Sequence, residues 1–213
     1  LGRVFQREEI LQLAEFCDHH DLILVSDEIH CDLILEEERT PHFTALQLPE
    51  KYAVRTVTLL SPSKTYNIAG MGYAYAVIPD KRLRNRFTSR RGHTQAEITC
   101  LGYYSAEAAY RHGEPWRREL LSYLRTNRDL LTDFCRQELG NVTIPDIEAT
   151  YLAWLDFRPA GIDEPTKFLE TEAGLFLSDG RRFGSPGHTR LNFGCSRQLL
   201  EGAIGAIRKA FGQ

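Results

Sequence analysis

Apolar positions along the chain follow two rhythms that alternate. Over 6–20, Ile10, Leu13, Ala14 and Cys17 recur at i, i+3, i+4 and i+7, the stripe of an amphipathic helix. Glu8 and Glu9 fall in its first turn, where the helix dipole favours negative charge; His19 and His20 fall at its solvated end. Leu22-Ile23-Leu24-Val25-Ser26 is unbroken and predicts a buried strand running into Asp27-Glu28-Ile29-His30. The acidic tract at 36–38 and the prolines Pro41 and Pro49 mark loop. A second β-branched run, 54–60, stops at Ser61-Pro62-Ser63-Lys64, and a third strand, 73–78, ends at Pro79. The connection before that third strand is short, so it is expected to run antiparallel to its neighbour or to cross the sheet.

Beyond residue 80 the helical period dominates. A helix over 81–91 carries Lys81, Arg82, Arg84, Arg86, Arg90 and Arg91 on an exposed face, 98–110 is a helix of small residues, and 116–139 is a long helix stopped by Gly140-Asn141. Shorter elements follow: an alternating strand at 151–157, a helix at 164–173, a strand at 175–178, a glycine-rich loop at 179–187, a strand at 188–194 and a helix at 197–211. This change predicts an α/β first domain over 1–113 and a smaller α+β domain over 114–213. In 188–194 the period of two places Thr189, Leu191 and Phe193 on one face and Arg190 and Asn192 on the other. An arginine in a strand needs a partner for its fork of donors, either a protein carboxylate or one from a ligand.

Composition narrows the class. The 213 residues are 42% hydrophobic with a net charge of −3, so no excess of positive charge points to nucleic acid or an anionic membrane. No apolar run reaches the length of a membrane span, and no signal peptide opens the sequence. The five cysteines are scattered and form no CxxC pair, which argues against a zinc site or other metal and fits reduced thiols in a cytoplasm.

The candidate chemistry centres on Leu59-Leu60-Ser61-Pro62-Ser63-Lys64-Thr65-Tyr66-Asn67. Ligands of open α/β sheets sit at the carboxyl ends of strands. Lys64 stands there with two hydroxyls just before it. A lysine amine partly withdrawn from water can form a Schiff base with an aldehyde, and hydroxyls suit a phosphate. Together they suggest pyridoxal phosphate, although a surface lysine after a strand fits the same residues.

Three stretches in order, Ser26-Asp27-Glu28-Ile29-His30, Ser61 to Gly70, and Arg190-Leu191-Asn192-Phe193-Gly194-Cys195, resemble the class I/II aminotransferase family of pyridoxal-phosphate enzymes, fold type I. Gly2-Arg3-Val4-Phe5, Ala108-Ala109-Tyr110, Gly113-Glu114-Pro115-Trp116 and Tyr151-Leu152-Ala153-Trp154-Leu155-Asp156 are similar to its MalY/PatB branch of cystathionine β-lyases and C–S lyases. The resemblance implies part of a mostly parallel large-domain sheet with flanking helices, followed by a small C-terminal domain. It implies that Lys64 is the Schiff-base lysine, that Asp27 pairs with the pyridine nitrogen, and that Ser61 and Ser63 contact the phosphate. It also puts His30 near the cofactor's phenolic oxygen and Arg190 on the substrate α-carboxylate. His30 stands where aminotransferases carry a tyrosine. Gly72 stands eight after Lys64, where many aspartate-type enzymes place an arginine. Both favour a lyase that releases a thiol, pyruvate and ammonia from cystathionine or cysteine S-conjugates; transamination is the alternative.

Family members are homodimers, and an amino acid is the expected small-molecule substrate. Family members also carry an N-terminal half, ahead of the turn at Gly2, that supplies a glycine-bearing phosphate cup, a stacking aromatic and an asparagine. The 213-residue polypeptide alone is therefore expected to bind the cofactor poorly and to be inactive. A further expectation, of another class, is a non-catalytic module that binds a regulator protein.

Overall fold

The computed structural model describes residues 2–92 and 97–212; Leu1, the first residue of the predicted opening turn, lies outside them. Two units emerge, Val4–Glu119 and a second made of Leu1–Arg3 with Leu120–Gln213. The division falls between Glu119 and Leu120, inside a helix, where the sequence suggests 113/114.

In the first unit, helix α1 (Arg7–His19) starts at Gln6, whose backbone N–H donates to Glu9 Oε2 at 2.8 Å in a capping box. Its buried residues are Ala14 and Cys17 of the predicted stripe, and Ala14 packs with Ala45, Leu48 and Tyr52. Strand β1 (Leu24–Asp27) pairs in parallel with β2 (Thr56–Leu60), in register from Leu24 opposite Thr56 to Asp27 opposite Leu59. A short helix, α2 (Glu50–Ala53), leads into β2. Strand β3 (Tyr75–Val77) pairs antiparallel with β2.

The expectation of a mostly parallel sheet needs correction, because the sheet has three strands in the order β1-β2-β3 and only its first pair is parallel. The cause is the link between β2 and β3. It contains one turn and a 3-10 segment at Ala69–Met71 but no crossover helix, so the chain must return antiparallel. The expectation that β1 is buried throughout also needs correction. Burial alternates along it, and Val25 is 58% exposed and Ile23 45% exposed. One face of the sheet instead lines an open trough of about 770 Å³ with Leu83 and Phe87 of α3 (Lys81–Arg91). The basic face of helix α3 is exposed as predicted, but the helix buries no residue, and Phe87 is 42% exposed. Helix α4 (Cys100–His112) follows, and α5 (Glu114–Gln137) runs from the first unit into the second.

The second unit is built on a sheet in the order β4-β6-β5, antiparallel throughout, from β4 (Leu152–Asp156), β5 (Ser178–Asp179) and β6 (His188–Asn192). The alternation in β6 is as predicted: Thr189, Leu191 and Phe193 are buried, whereas Arg190 and Asn192 lie on the other face. Ala153, Leu155 and Phe157 join that buried set, with Leu169 of α6 (Pro165–Ala173) and Leu200, Ile204 and Ile207 of α7 (Arg197–Ala210). No helix among the described residues is long and apolar enough to cross a membrane.

Candidate active site

The lysine turn is built by its own backbone. Tyr66 N–H donates to Pro62 O at 2.9 Å and Ile68 N–H to Ser63 O at 3.2 Å, closing one helical turn with half-buried Lys64 inside it. Asn67 leaves the turn at φ +54°, the left-handed region that asparagine tolerates better than most side chains. Ser61 is only 6% exposed, and its hydroxyl donates to Tyr73 O at 2.7 Å. A hydroxyl has one proton, so at the 2.7 Å contact between the two serines the Ser63 hydroxyl is the donor; Ser63 N–H also donates to Ser61 Oγ at 3.1 Å. Ser61 thus ties the turn to the segment that leads into β3, and half-buried Ser63 holds a proton that it could donate to an incoming anion. Thr65, 1% exposed, has an Oγ1 with no hydrogen-bond partner among the described residues.

Sequence reasoning missed what holds the turn from behind. Tyr66 packs with Tyr110 (ring centroids 6.2 Å apart) and Trp116 (6.1 Å). A Cβ on Gly113 would lie 2.5 Å from the Tyr66 ring and 2.5 Å from Ala109 O, so only glycine fits there. The available signal was the Gly113-Glu114-Pro115-Trp116 string itself, which places a helix break beside an aromatic. Gly72 is different: it has open space around it but φ +63°, so backbone conformation disfavours an arginine at this position and crowding does not.

Asp27 ends β1 at the carboxyl edge from which the lysine turn also leaves, because the parallel register sets it opposite Leu59. Its Oδ1 accepts from Ile29 N–H at 3.3 Å, and no cation pairs with it among the described residues. Glu28, one residue on, is buried and takes a structural part that sequence reasoning did not assign. It accepts from Ser26 Oγ (2.9 Å) and Ala45 N–H (2.8 Å) and lies 2.9 Å from His42 Nε2. Burial pulls its pKa up, but the bonds from His42, Ala45, Thr44 and Ser26 outweigh this and hold the carboxyl below its usual range. His30 is half-buried in the turn after Glu28, its carbonyl accepting from Leu33 N–H at 3.0 Å. Burial, with Asp32 and Glu28 nearby, pushes the neighbouring Cys31 thiol up to about 12, which makes it a poor nucleophile.

The structure therefore brings Asp27, His30, Ser61, Ser63 and Lys64 to one edge of one sheet. Arg190 belongs to the second unit, on the exposed face of β6. There its guanidinium lies over the Phe183 ring at 4.7 Å and its Nη2 donates to Ser178 Oγ at 3.4 Å. The internal salt bridge that the sequence left open is absent among the described residues, so no protein carboxylate occupies this fork.

A parallel strand pair with an amine, a carboxylate and a hydroxyl at its carboxyl edge is the arrangement of an enzyme site in an α/β sheet. The chain belongs to the aminotransferase class I and II family, whose model matches residues 1–207. Among individual proteins it is similar to cystathionine beta-lyase PatB of Bacillus subtilis (strain 168). The two are 35% identical over 214 residues, which is 98% of this chain and 55% of the relative. The fold is similar to that of cystalysin from Treponema denticola, whose crystal structure contains a pyridoxal 5'-phosphate cofactor. The TM-score is 0.92 at 31% identity, covering 99% of this chain and 54% of that one. It is also similar to the crystal structure of OvoB, with a TM-score of 0.93 at 42% identity over 98% of this chain and 54% of that chain. The chain spans about half the length of the curated relatives it matches.

Proposed function

We propose that this chain is the part of a pyridoxal-phosphate-dependent carbon–sulfur β-lyase that carries the cofactor lysine, and that the whole enzyme cleaves cystathionine or a related cysteine S-conjugate. The observation that supports this most is the parallel register that sets Asp27 opposite Leu59, so that an acid and the Lys64 turn share one sheet edge. The similarity to PatB over almost the whole chain supports the lyase reading in particular.

The residues fit the cofactor. Among the described residues no cation pairs with Asp27 and the buried Thr65 Oγ1 beside Lys64 has no hydrogen-bond partner, and the Ser63 hydroxyl can turn its proton from Ser61 to an anion. When bound, pyridoxal phosphate supplies a sink for the electron pair left at the substrate Cα. Asp27 would hold the pyridine nitrogen protonated, which would strengthen that sink. The Lys64 amine removes the Cα proton as a general base. Arg190 grips the α-carboxylate and fixes which Cα bond reacts. The Cβ–S bond then breaks, the sulfur leaves with the electron pair and takes up a proton as the thiol, and hydrolysis of the remainder gives pyruvate and ammonia. His30, in the turn after Asp27 and Glu28, would sit near the cofactor's phenolic oxygen. The enzyme acts as a homodimer in the cytoplasm.

The test uses the full-length protein, incubated with cystathionine and, separately, with an amino acid plus a 2-oxo acid. Pyruvate and ammonia from the first incubation support the lyase. Amino-group transfer in the second without pyruvate in the first identifies an aminotransferase, the reading that the family name keeps open. No cofactor uptake, with a regulator protein retained on purification, supports the binding module.

A further inference from the structure

The loop that carries Phe183 is unusually constrained for a surface loop. Asp179 caps the 3-10 turn Gly180–Phe183 by accepting from Arg181 N–H at 2.8 Å, and its other carboxylate oxygen accepts from the Arg181 guanidinium. Gly180 lies so close to β6 that an added Cβ would stand 2.5 Å from His188 O. Ser185 N–H donates back to Gly180 O at 2.9 Å, and Gly184 leaves the turn at φ +75°. This loop puts a phenyl ring on the sheet and yet leaves it 50% exposed. Burial of apolar area accounts for only part of such a placement. What the ring touches accounts for the rest: the Arg190 guanidinium at 4.7 Å and the edge of Trp154 at 5.6 Å. Trp154 is the cross-strand partner of Arg190 and is itself stacked on His188 at 5.5 Å. On the other side of Arg190, its partner in β5 is Ser178, whose hydroxyl takes Nη2.

Arg190 is thus held on one face by a ring and at one nitrogen by a hydroxyl, and among the described residues its remaining donors meet no protein acceptor. An arginine free to rotate would present its fork in many directions, and fixing it removes that entropy before a ligand arrives. We infer that Phe183, backed by Trp154, is a positioning residue that orients Arg190 for the α-carboxylate of the amino-acid substrate. The inference rests on the proposed role of Arg190 as the carboxylate-binding residue.

The experiment uses the full-length, pyridoxal-phosphate-loaded protein as wild type and as Phe183→Leu, Phe183→Tyr and Arg190→Lys. The probes are S-ethyl-L-cysteine and its decarboxylated analogue S-ethylcysteamine. Losing a cation–π contact of this kind should raise KM for S-ethyl-L-cysteine about five- to tenfold in Phe183→Leu, with kcat changed less than about twofold. Phe183→Tyr keeps the ring and should stay within about twofold of wild type. Binding of S-ethylcysteamine, followed through the cofactor's visible absorbance, should be the same in all of them because it lacks the carboxylate. Independently of turnover, the Arg190 Nε–Hε signal of ¹⁵N-arginine-labelled protein should shift in Phe183→Leu and return in Phe183→Tyr. Equal weakening of both probes would overturn the inference by showing a general structural role. So would an unchanged KM in Phe183→Leu when Arg190→Lys raises it. If Arg190→Lys itself leaves KM unchanged, the reading of Arg190 fails first and takes the inference with it.

Discussion

Asn127, on α5, is fully buried in the second unit and offers a sharp test of how that unit is held. Its Nδ2 donates to Phe193 O and to Cys195 O, both at 3.0 Å, and so fastens the segment that follows Arg190 in sequence. Its Oδ1 has no hydrogen-bond partner among the described residues. Replacing it by alanine orphans the buried Phe193 carbonyl and the part-buried Cys195 carbonyl, at up to about 1–3 kcal/mol each, and relieves one unpaired oxygen of about the same cost. The balance, with a small void, is a loss of about 1–3 kcal/mol. Asn127→Asp keeps the shape but turns an oxygen toward the two carbonyls. Only the protonated acid can donate to either of them, so its folded pKa must lie above the unfolded value of about 3.9. A raised folded pKa gives a contribution that is complete below the unfolded pKa and lost as pH rises through the folded one, at about 1.4 kcal/mol per unit of separation. Urea unfolding of the protein, read as midpoints at constant m-value, measures this at about pH 5 and about pH 8. Asn127→Ala should lose the stated amount at both. Asn127→Asp should fall further behind wild type at the higher pH. An alanine variant within about 0.5 kcal/mol of wild type, or an aspartate variant whose deficit does not grow with pH, would refute the reasoning.

Glu28→Gln should flatten the acid limb of stability: the folded Glu28 pKa is depressed, so its contribution is present above the unfolded value near 4.5 and lost as pH falls through the folded one. Unfolding free energies measured on either side of that value check this. Gly113→Ala should cost about 1–3 kcal/mol by overpacking against Tyr66 and Ala109 O, and adding Tyr66→Ala should recover only the part due to the ring, as a double-mutant cycle of melting temperatures would read. In the full-length protein Lys64→Ala should abolish the visible cofactor band and turnover together, and retention of either removes Lys64 from its proposed role. Substitutions at Gly72 should rank by tolerance of a left-handed backbone, with Asn better than Val by about 1 kcal/mol, because space there is open and φ is +63°.

The sequence was most informative where one period ran long enough to count. Ala14 and Cys17 of the α1 stripe, the exposed basic face of α3 and the in-and-out alternation of β6 follow from side-chain spacing, whereas Leu13 of the same stripe is 43% exposed. It was misleading at β1. An unbroken apolar run is read as buried on both faces, but what covers a face is set by other elements of the fold, and here Val25 faces solvent. Glu28 and Tyr66 went unassigned for a related reason. Their partners, His42 with Ala45 for one and Tyr110 with Gly113 and Trp116 for the other, are distant in sequence and form no motif with them.

The same distinction explains why the candidate site could be located before its supports were known. Chemistry at a strand's carboxyl end needs particular residue types at fixed offsets from the strand, and those offsets survive in the one-dimensional string as Asp27 and as Ser61, Ser63 and Lys64. Holding those groups still needs only complementary shape. A glycine beside a tyrosine ring does this at the Lys64 turn, and a capped turn that sets a phenyl ring against a guanidinium does it at Arg190. Many residues could supply that shape, so it leaves no short signature, and it becomes visible only when distances can be measured.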